Sequence, residues 1–180
     1  MLEPMTVWVE VWPVAADEAS LWLVSGNDAW RSGPVMADSE PHAELELSLH
    51  THGALDHVRL LHSTSWRVDG PRVILTYVAV VHPGGPVRSA WPEALPIGLD
   101  LANAVGKPFT NAPVDPPTPR YIDVLLHGIR HLRFLLDTDA TNAAALDHHW
   151  RRFLANLQPA LARMYDQEHE VGEGARAIPE

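Results

Sequence analysis

The sequence predicts an α+β domain: a mixed central β-sheet with flanking helices and a C-terminal antiparallel helical pair. Three stretches carry this. His57 to Val81 reads as two runs rich in β-branched and aromatic residues on either side of Asp69-Gly70-Pro71, the pattern of a β-hairpin. The second of those runs, Val73 to Val81, is apolar almost throughout. A strand without a polar face is normally covered on both sides, which puts this one at the centre of a sheet between layers. Two apolar stripes at helical spacing, between Thr118 and Leu161, supply one of the covers.

Length and charge bound what such a domain does. A chain of 180 residues, 46% of them hydrophobic, is long enough to bury its own core. The expected organisation is a sheet domain with a Pro-rich connection over 1–117, a helical hairpin packed on it over 118–166, and a flexible tail over 167–180. Cysteine is absent, which excludes disulfides, thiol nucleophiles and thiolate metal sites. The formal net charge of −10 opposes nucleic-acid binding unless a basic patch forms. Arg130, Arg133, Arg151 and Arg152 are the only candidates, and acidic neighbours dilute them. No apolar run is long enough to span a membrane, and the opening MLEPMTVWVEVW has no basic n-region. A cytoplasmic location is expected.

Along the chain, Val7 to Trp12 alternates as a first strand, which Pro13 is expected to end or push to an edge. Leu21 to Val24 is a short second strand. Turn clusters surround Trp30. Residues 39–53 read two ways. Glu44 to His52 alternates like a strand, but Asp38 or Ser39 as N-cap, Pro41 in a first turn and Gly53 as a stop favour a helix. Nine of the sixteen prolines fall between Pro83 and Pro119, predicting a long irregular connection with one short helix near Ile97 to Val105. Thr118 and Pro119 open a helix whose stripe is Ile122, Leu125, Leu126, Ile129, Leu132 and Leu136. Arg133 falls inside it and needs an acid such as Asp137. Thr141 opens a second helix with Leu146, Trp150, Phe153, Leu154, Leu157 and Leu161 inward, kinked near Pro159.

Strand, strand, a short helix ending in Gly53, then a hairpin written LLHSTSWR and VILTYVAVV: over about residues 5–83 this order resembles the Nudix family. The resemblance implies a mixed sheet between helices, with the helix after the opening strands carrying the signature Gly-x5-Glu-x7-Arg-Glu-U-x-Glu-Glu-x-Gly-U. That family hydrolyses nucleoside diphosphates linked to another group, using divalent metal on those glutamates. Aligned on Gly53, the first glutamate becomes Asp38, the Arg-Glu pair Glu46-Leu47, the metal-binding Glu-Glu pair His50-Thr51, and the opening glycine Ser32 beside Gly33. Magnesium prefers several hard oxygen ligands, which Asp38 and a histidine do not replace. The resemblance therefore implies a degenerate, non-catalytic Nudix-like module that binds a small nucleotide-type ligand or a protein partner, with no cofactor.

The expected ligand site lies near Trp30, His50, Arg67 and Trp91, where Trp66 and Arg67 in HSTSWR offer stacking at a strand end. His62, Ser63, Thr64 and Ser65 read as strand packing, because no nucleophile elbow accompanies them. The metal candidates are His50 with His52, which share a face only on a strand, and His127 with His131, one helical turn apart after Asp123. His148 and His149 lie on the next helix. Seven tryptophans exceed what one core holds, so some should line a pocket or an interface. Two alternatives remain open: a homodimer through the C-terminal helices, and a metal-dependent hydrolase using these histidines.

Overall fold

A computed structural model describes residues 4–97 and 121–159. It is α+β, with a mixed sheet of six strands. The strands are β1 (Thr6–Ala16), β2 (Leu21–Leu23), β3 (Trp30–Pro34), β4 (Val58–Asp69), β5 (Arg72–Val81) and β6 (Leu95–Ile97). The helices are α1 (Pro41–Thr51), α2 (Val87–Ala90), α3 (Tyr121–Thr138), α4 (Ala140–Ala143) and α5 (His148–Leu154). Strand order is β4-β5-β1-β2-β6, with β3 also paired to β1.

The expected hairpin is β4–β5, turning at Gly70 with φ +57°. β5 lies between β4 and β1, and β1 runs parallel to it from Thr6↔Arg72 to Val14↔Val80. Alternation then divides the side chains between two cores. Trp12, Val14, Val78 and Val80 face α3 and α5, packed with Leu125, Ile129, Leu132, Trp150 and Leu154. Val9, Val11, Ala15, Ala79 and Val81 face α1, packed with Leu45, Leu49 and Trp91. β5 is therefore covered on both faces from Val78 onward. Its first half is half-buried at Val73, Leu75 and Tyr77, because α1 spans only one end of that face. Two cores also absorb most of the aromatic surplus: Trp12, Trp22, Trp91 and Trp150 are buried, and Trp66 is exposed.

Residues 41–51 are helix, and Gly53 ends the helix at φ +67°, a left-handed conformation that only glycine adopts without strain. The N-cap is Glu40, without a side-chain cap bond, rather than Asp38 or Ser39; Ser39 Oγ instead donates to the Glu44 carboxylate at 3.1 Å.

Four further expectations are corrected. β1 does not stop at Pro13. The Pro13 carbonyl accepts from Val24 N–H at 2.9 Å on the edge where β2 and β3 succeed one another. A residue's N–H and C=O point to the same edge, so Pro13 accepts one bond of this pair and cannot return the other; the ladder with β2 stops there, while β1 runs on because its parallel partner β5 lies on the opposite edge. Trp30 to Pro34 is a strand rather than a turn cluster, because the outer edge of a long β1 requires a partner and Gly33 and Pro34 are tolerated at an edge. The Pro-rich connection contains α2 and β6, with Pro96 on the outermost strand. The second C-terminal helix is two short ones. Asp139 caps α4 and Asp147 caps α5, each accepting two backbone N–H bonds, and the chain between them breaks the helix. Its stripe is nevertheless buried at Leu146, Trp150, Leu154 and Leu157. Arg133 does pair with Asp137. The readings at 98–105, Thr118, Pro119, Leu161 and the tail lie outside the described residues. Among the described residues, no helix is long and apolar enough to cross a membrane.

α3 sits close on the sheet because residue 128 is glycine. A Cβ there would lie 2.5 Å from Val78 Cγ2, a buried and β-branched neighbour with little freedom to move. Gly128→Ala is expected to be destabilising in the wild-type background and to be rescued by Val78→Ala. A double-mutant cycle from urea melts should give a favourable coupling of about 1 kcal/mol; strict additivity would remove the close-approach explanation.

Candidate functional site

Glu10 is the only charged residue in the run Val7 to Val14, and its side chain is fully buried at 0% exposure. A carboxylate there requires partners, since desolvation of an unpaired charge costs several kcal/mol. The sheet register supplies them. Thr76, the polar residue on the same face of β5, stands directly opposite Glu10 in the parallel ladder, and Arg31 of β3 stands opposite it on the other edge. Arg67 reaches in from β4, across β5, and forms a two-point contact with the carboxylate through Nη1 and Nη2, the latter at 2.7 Å. Thr76 Oγ1 donates to Oε1 at 2.8 Å, Trp12 Nε1 donates at 3.4 Å and Arg31 Nε donates to Oε2 at 3.3 Å. Arg31 in turn forms a fork with Asp28, both bonds at 2.7 Å. A polar row thus crosses four strands on the face that carries α3.

A bulge makes this row possible. The β4–β5 register shifts between Ser63 and Ser65, so Thr64 is extra. Without that insertion His62 and Arg67, an odd number of positions apart, would project from opposite faces. With it, His62 opposite Val78 and Arg67 opposite Ile74 share the α3 face. Thr64 turns inward, and its hydroxyl contacts the Thr76 carbonyl at 3.4 Å.

The electrostatics follow from these contacts. Burial pushes the Glu10 carboxyl up, but the Arg67 hydrogen bond and charge, the Thr76 hydroxyl and the Arg31 charge outweigh it, and its pKa lies below the ordinary value. The charge is saturated, so Glu10 positions guanidiniums rather than accepting protons. Asp28 is likewise lowered, burial being overcome by Arg31 and the Ala29 amide. Arg67 spends three of its five N–H groups on Glu10 and Thr76 and stays 22% exposed; Arg31 is 43% exposed.

Histidines continue the same face. His62 Nε2 lies 3.0 Å from His131 Nε2, with His131 8% exposed and its ring 5.9 Å from that of Phe134. His127 bonds the Thr64 backbone. Burial, reinforced by the neighbouring His131 ring, lowers the pKa of both His62 and His127. His127 and His131 thus lie against the sheet.

The four residues expected to share a ligand site are divided between the two faces. Arg67 belongs to the polar row. Trp30 stacks on His52 on the α1 face, ring centroids 4.2 Å apart, and Trp91 is buried there against the His57 edge. His50 is exposed in the last turn of α1. His50 and His52 do not form a ligand pair: on a helix they diverge, and His52 Nδ1 lies 2.8 Å from the Ser48 carbonyl. Sequence reasoning missed Glu10, Thr76 and Arg31. The usable signal was a lone acid in one central strand and a lone hydroxyl in the other, which in-register pairing brings together. Comparisons with protein-family models, with curated proteins and with solved structures returned no match.

A carboxyl with a lowered folded-state pKa contributes stability that is fully present above its unfolded value and lost as pH falls through the folded one. Wild-type stability should therefore drop as pH falls below 4.5, the ordinary Glu10 value. Glu10→Gln should cost about 3 kcal/mol at pH 7 and show a shallower acid limb in urea melts. An unchanged acid limb would show that Glu10 is not held as a buried charge.

Proposed function

We propose that this chain is a Nudix-like module without hydrolase activity that binds a small nucleotide-type ligand on the α3 face of its sheet, beside Arg67. The carrying observation is that Arg67 and Arg31 are locked in place by a buried carboxylate while their side chains remain 22% and 43% exposed. A fixed guanidinium edge recognises a planar acceptor pair with little ordering cost. Aromatic faces lie beside it. Trp8 precedes Glu10 on the same face of β1, opposite Ile74 and with the Arg72 guanidinium 5.5 Å from its ring centroid, and Tyr121 is 47% exposed and stacked on Trp12 at 6.3 Å. Glu10 and Asp28 balance the two guanidiniums, so the site suits a base or sugar edge with at most modest charge better than a polyanion.

The non-hydrolytic reading rests on α1. His50 and Thr51 occupy the positions where the resemblance calls for metal-binding glutamates. The glutamates α1 does carry are engaged along the helix, Glu44 with Ser39 and Glu46 with His42 at 3.3 Å. The Nudix likeness itself is an analogy of fold. A cysteine-free acidic chain suits a cytoplasmic setting. The homodimer alternative has less to stand on, because the apolar stripes of the C-terminal helices are spent on the sheet.

Melting-temperature shifts and calorimetry with nucleotides, nucleotide sugars and dinucleotides test this. At least one class should stabilise the wild type, by about 2.7 kcal/mol at a hundredfold excess over Kd, and lose affinity in Arg67→Met and Tyr121→Ala. No shift with any compound, or affinity indifferent to both substitutions, would overturn it.

A further inference from the structure

A strand and a helix bring two imidazoles tip to tip. His62 stands on β4 at the start of the bulge and His131 stands in the middle of α3, and the two residues are 69 positions apart in sequence. Their Nε2 atoms are 3.0 Å apart, their rings are within 20° of parallel and their centroids are 5.0 Å apart. Two such nitrogens are joined either by a proton or by a cation. Imidazole binds zinc-like ions at about 2.0 to 2.1 Å, so two ligands of one ion, at angles between square and tetrahedral, sit about 2.9 to 3.4 Å apart. The observed spacing falls in that range.

We propose that His62 and His131 form a two-histidine site for a borderline transition-metal dication such as zinc, nickel or copper. Neutral imidazole nitrogens suit these ions and not magnesium or calcium, which select oxygen. Among the described residues no group of three His, Cys, Asp or Glu side chains converges to hold an ion. The pair therefore supplies two bonds and leaves the remaining positions to water or to an exogenous ligand, one protein ligand fewer than a catalytic zinc centre has. Its surroundings suit a cation. The Asp139 carboxylate, held by the α4 backbone amides, interacts electrostatically with His62. His127 is committed to the Thr64 backbone and buttresses the bulge that aims His62. His62 is only half-buried, so the pair is not sealed from solvent on both members. The site is independent of the ligand reading above, since Glu10, Arg31 and Arg67 take no part in it.

The test is metal titration of the whole chain by calorimetry, with zinc, nickel and cupric ions against magnesium. Cupric electron paramagnetic resonance then counts the imidazole nitrogens. The expected result is one transition-metal ion per chain with two nitrogen ligands. Affinity should fall about tenfold or more in His62→Gln and in His131→Gln. It should be unchanged in His50→Gln and His149→Gln, which report adventitious surface binding. His62 is half-exposed, so His62→Gln keeps the fold even if the buried His131 variant does not. No binding above that of magnesium, or binding indifferent to His62→Gln, would overturn the proposal and leave the two rings joined by a shared proton.

Discussion

A carboxylate buried between two central strands sets the terms for the rest of this molecule. Glu10 cannot be left unpaired in a face otherwise formed by Trp12, Val14, Val78 and Val80. Its partners come from three other strands: Thr76 from β5, Arg31 from β3 and Arg67 from β4. A one-residue slip of β1 against β5 would turn Glu10 into the α1 core and strand Arg67. The polar row therefore fixes register across four strands as firmly as the apolar cores do, and it accounts for the bulge at Thr64, without which Arg67 would miss the carboxylate.

The two faces of the sheet then take different roles. On the α1 face the side chains are apolar, the helix is pinned by Leu45 and Leu49, and its histidines are used locally, His52 against Trp30. On the α3 face, apolar packing at one end gives way to the Glu10 row and to the His62–His131 pair. Gly128 lets α3 approach closely enough to bring His131 onto β4. The polar groups are concentrated where a strand bulge and a close helix meet, on the face opposite α1.

How much of this was readable from residues alone depends on how local the cause is. The β5 run, the Asp69-Gly70-Pro71 turn and the α1 stop at Gly53 are written in short patterns, and they read correctly. The strand at Trp30 to Pro34 is not: Gly33 and Pro34 look like turn residues, and only the unpaired edge of β1 makes them strand. Pro13 looks like a strand end, but the unbroken parallel ladder with β5 on the other edge carries β1 past it. The break between α4 and α5 was misread because Leu146, Trp150 and Leu154 keep helical spacing across it, while Asp147 acts as a cap rather than an interior residue. Arg67 stands out in the sequence beside Trp66, but its partners Glu10 and Thr76 do not, because sheet register alone brings them to it.

The most direct measurement is a double-mutant cycle on Glu10→Leu and Arg67→Met, read by chemical denaturation at pH 7. If the carboxylate depends on that guanidinium, Arg67→Met strips the buried Glu10 of its two-point contact and Glu10→Leu leaves the part-buried Arg67 without its carboxylate, each at a cost of about 3 kcal/mol. The double variant then costs less than their sum by about 2 kcal/mol or more. Costs that add to within about 0.5 kcal/mol would contradict the coupling on which the polar row depends.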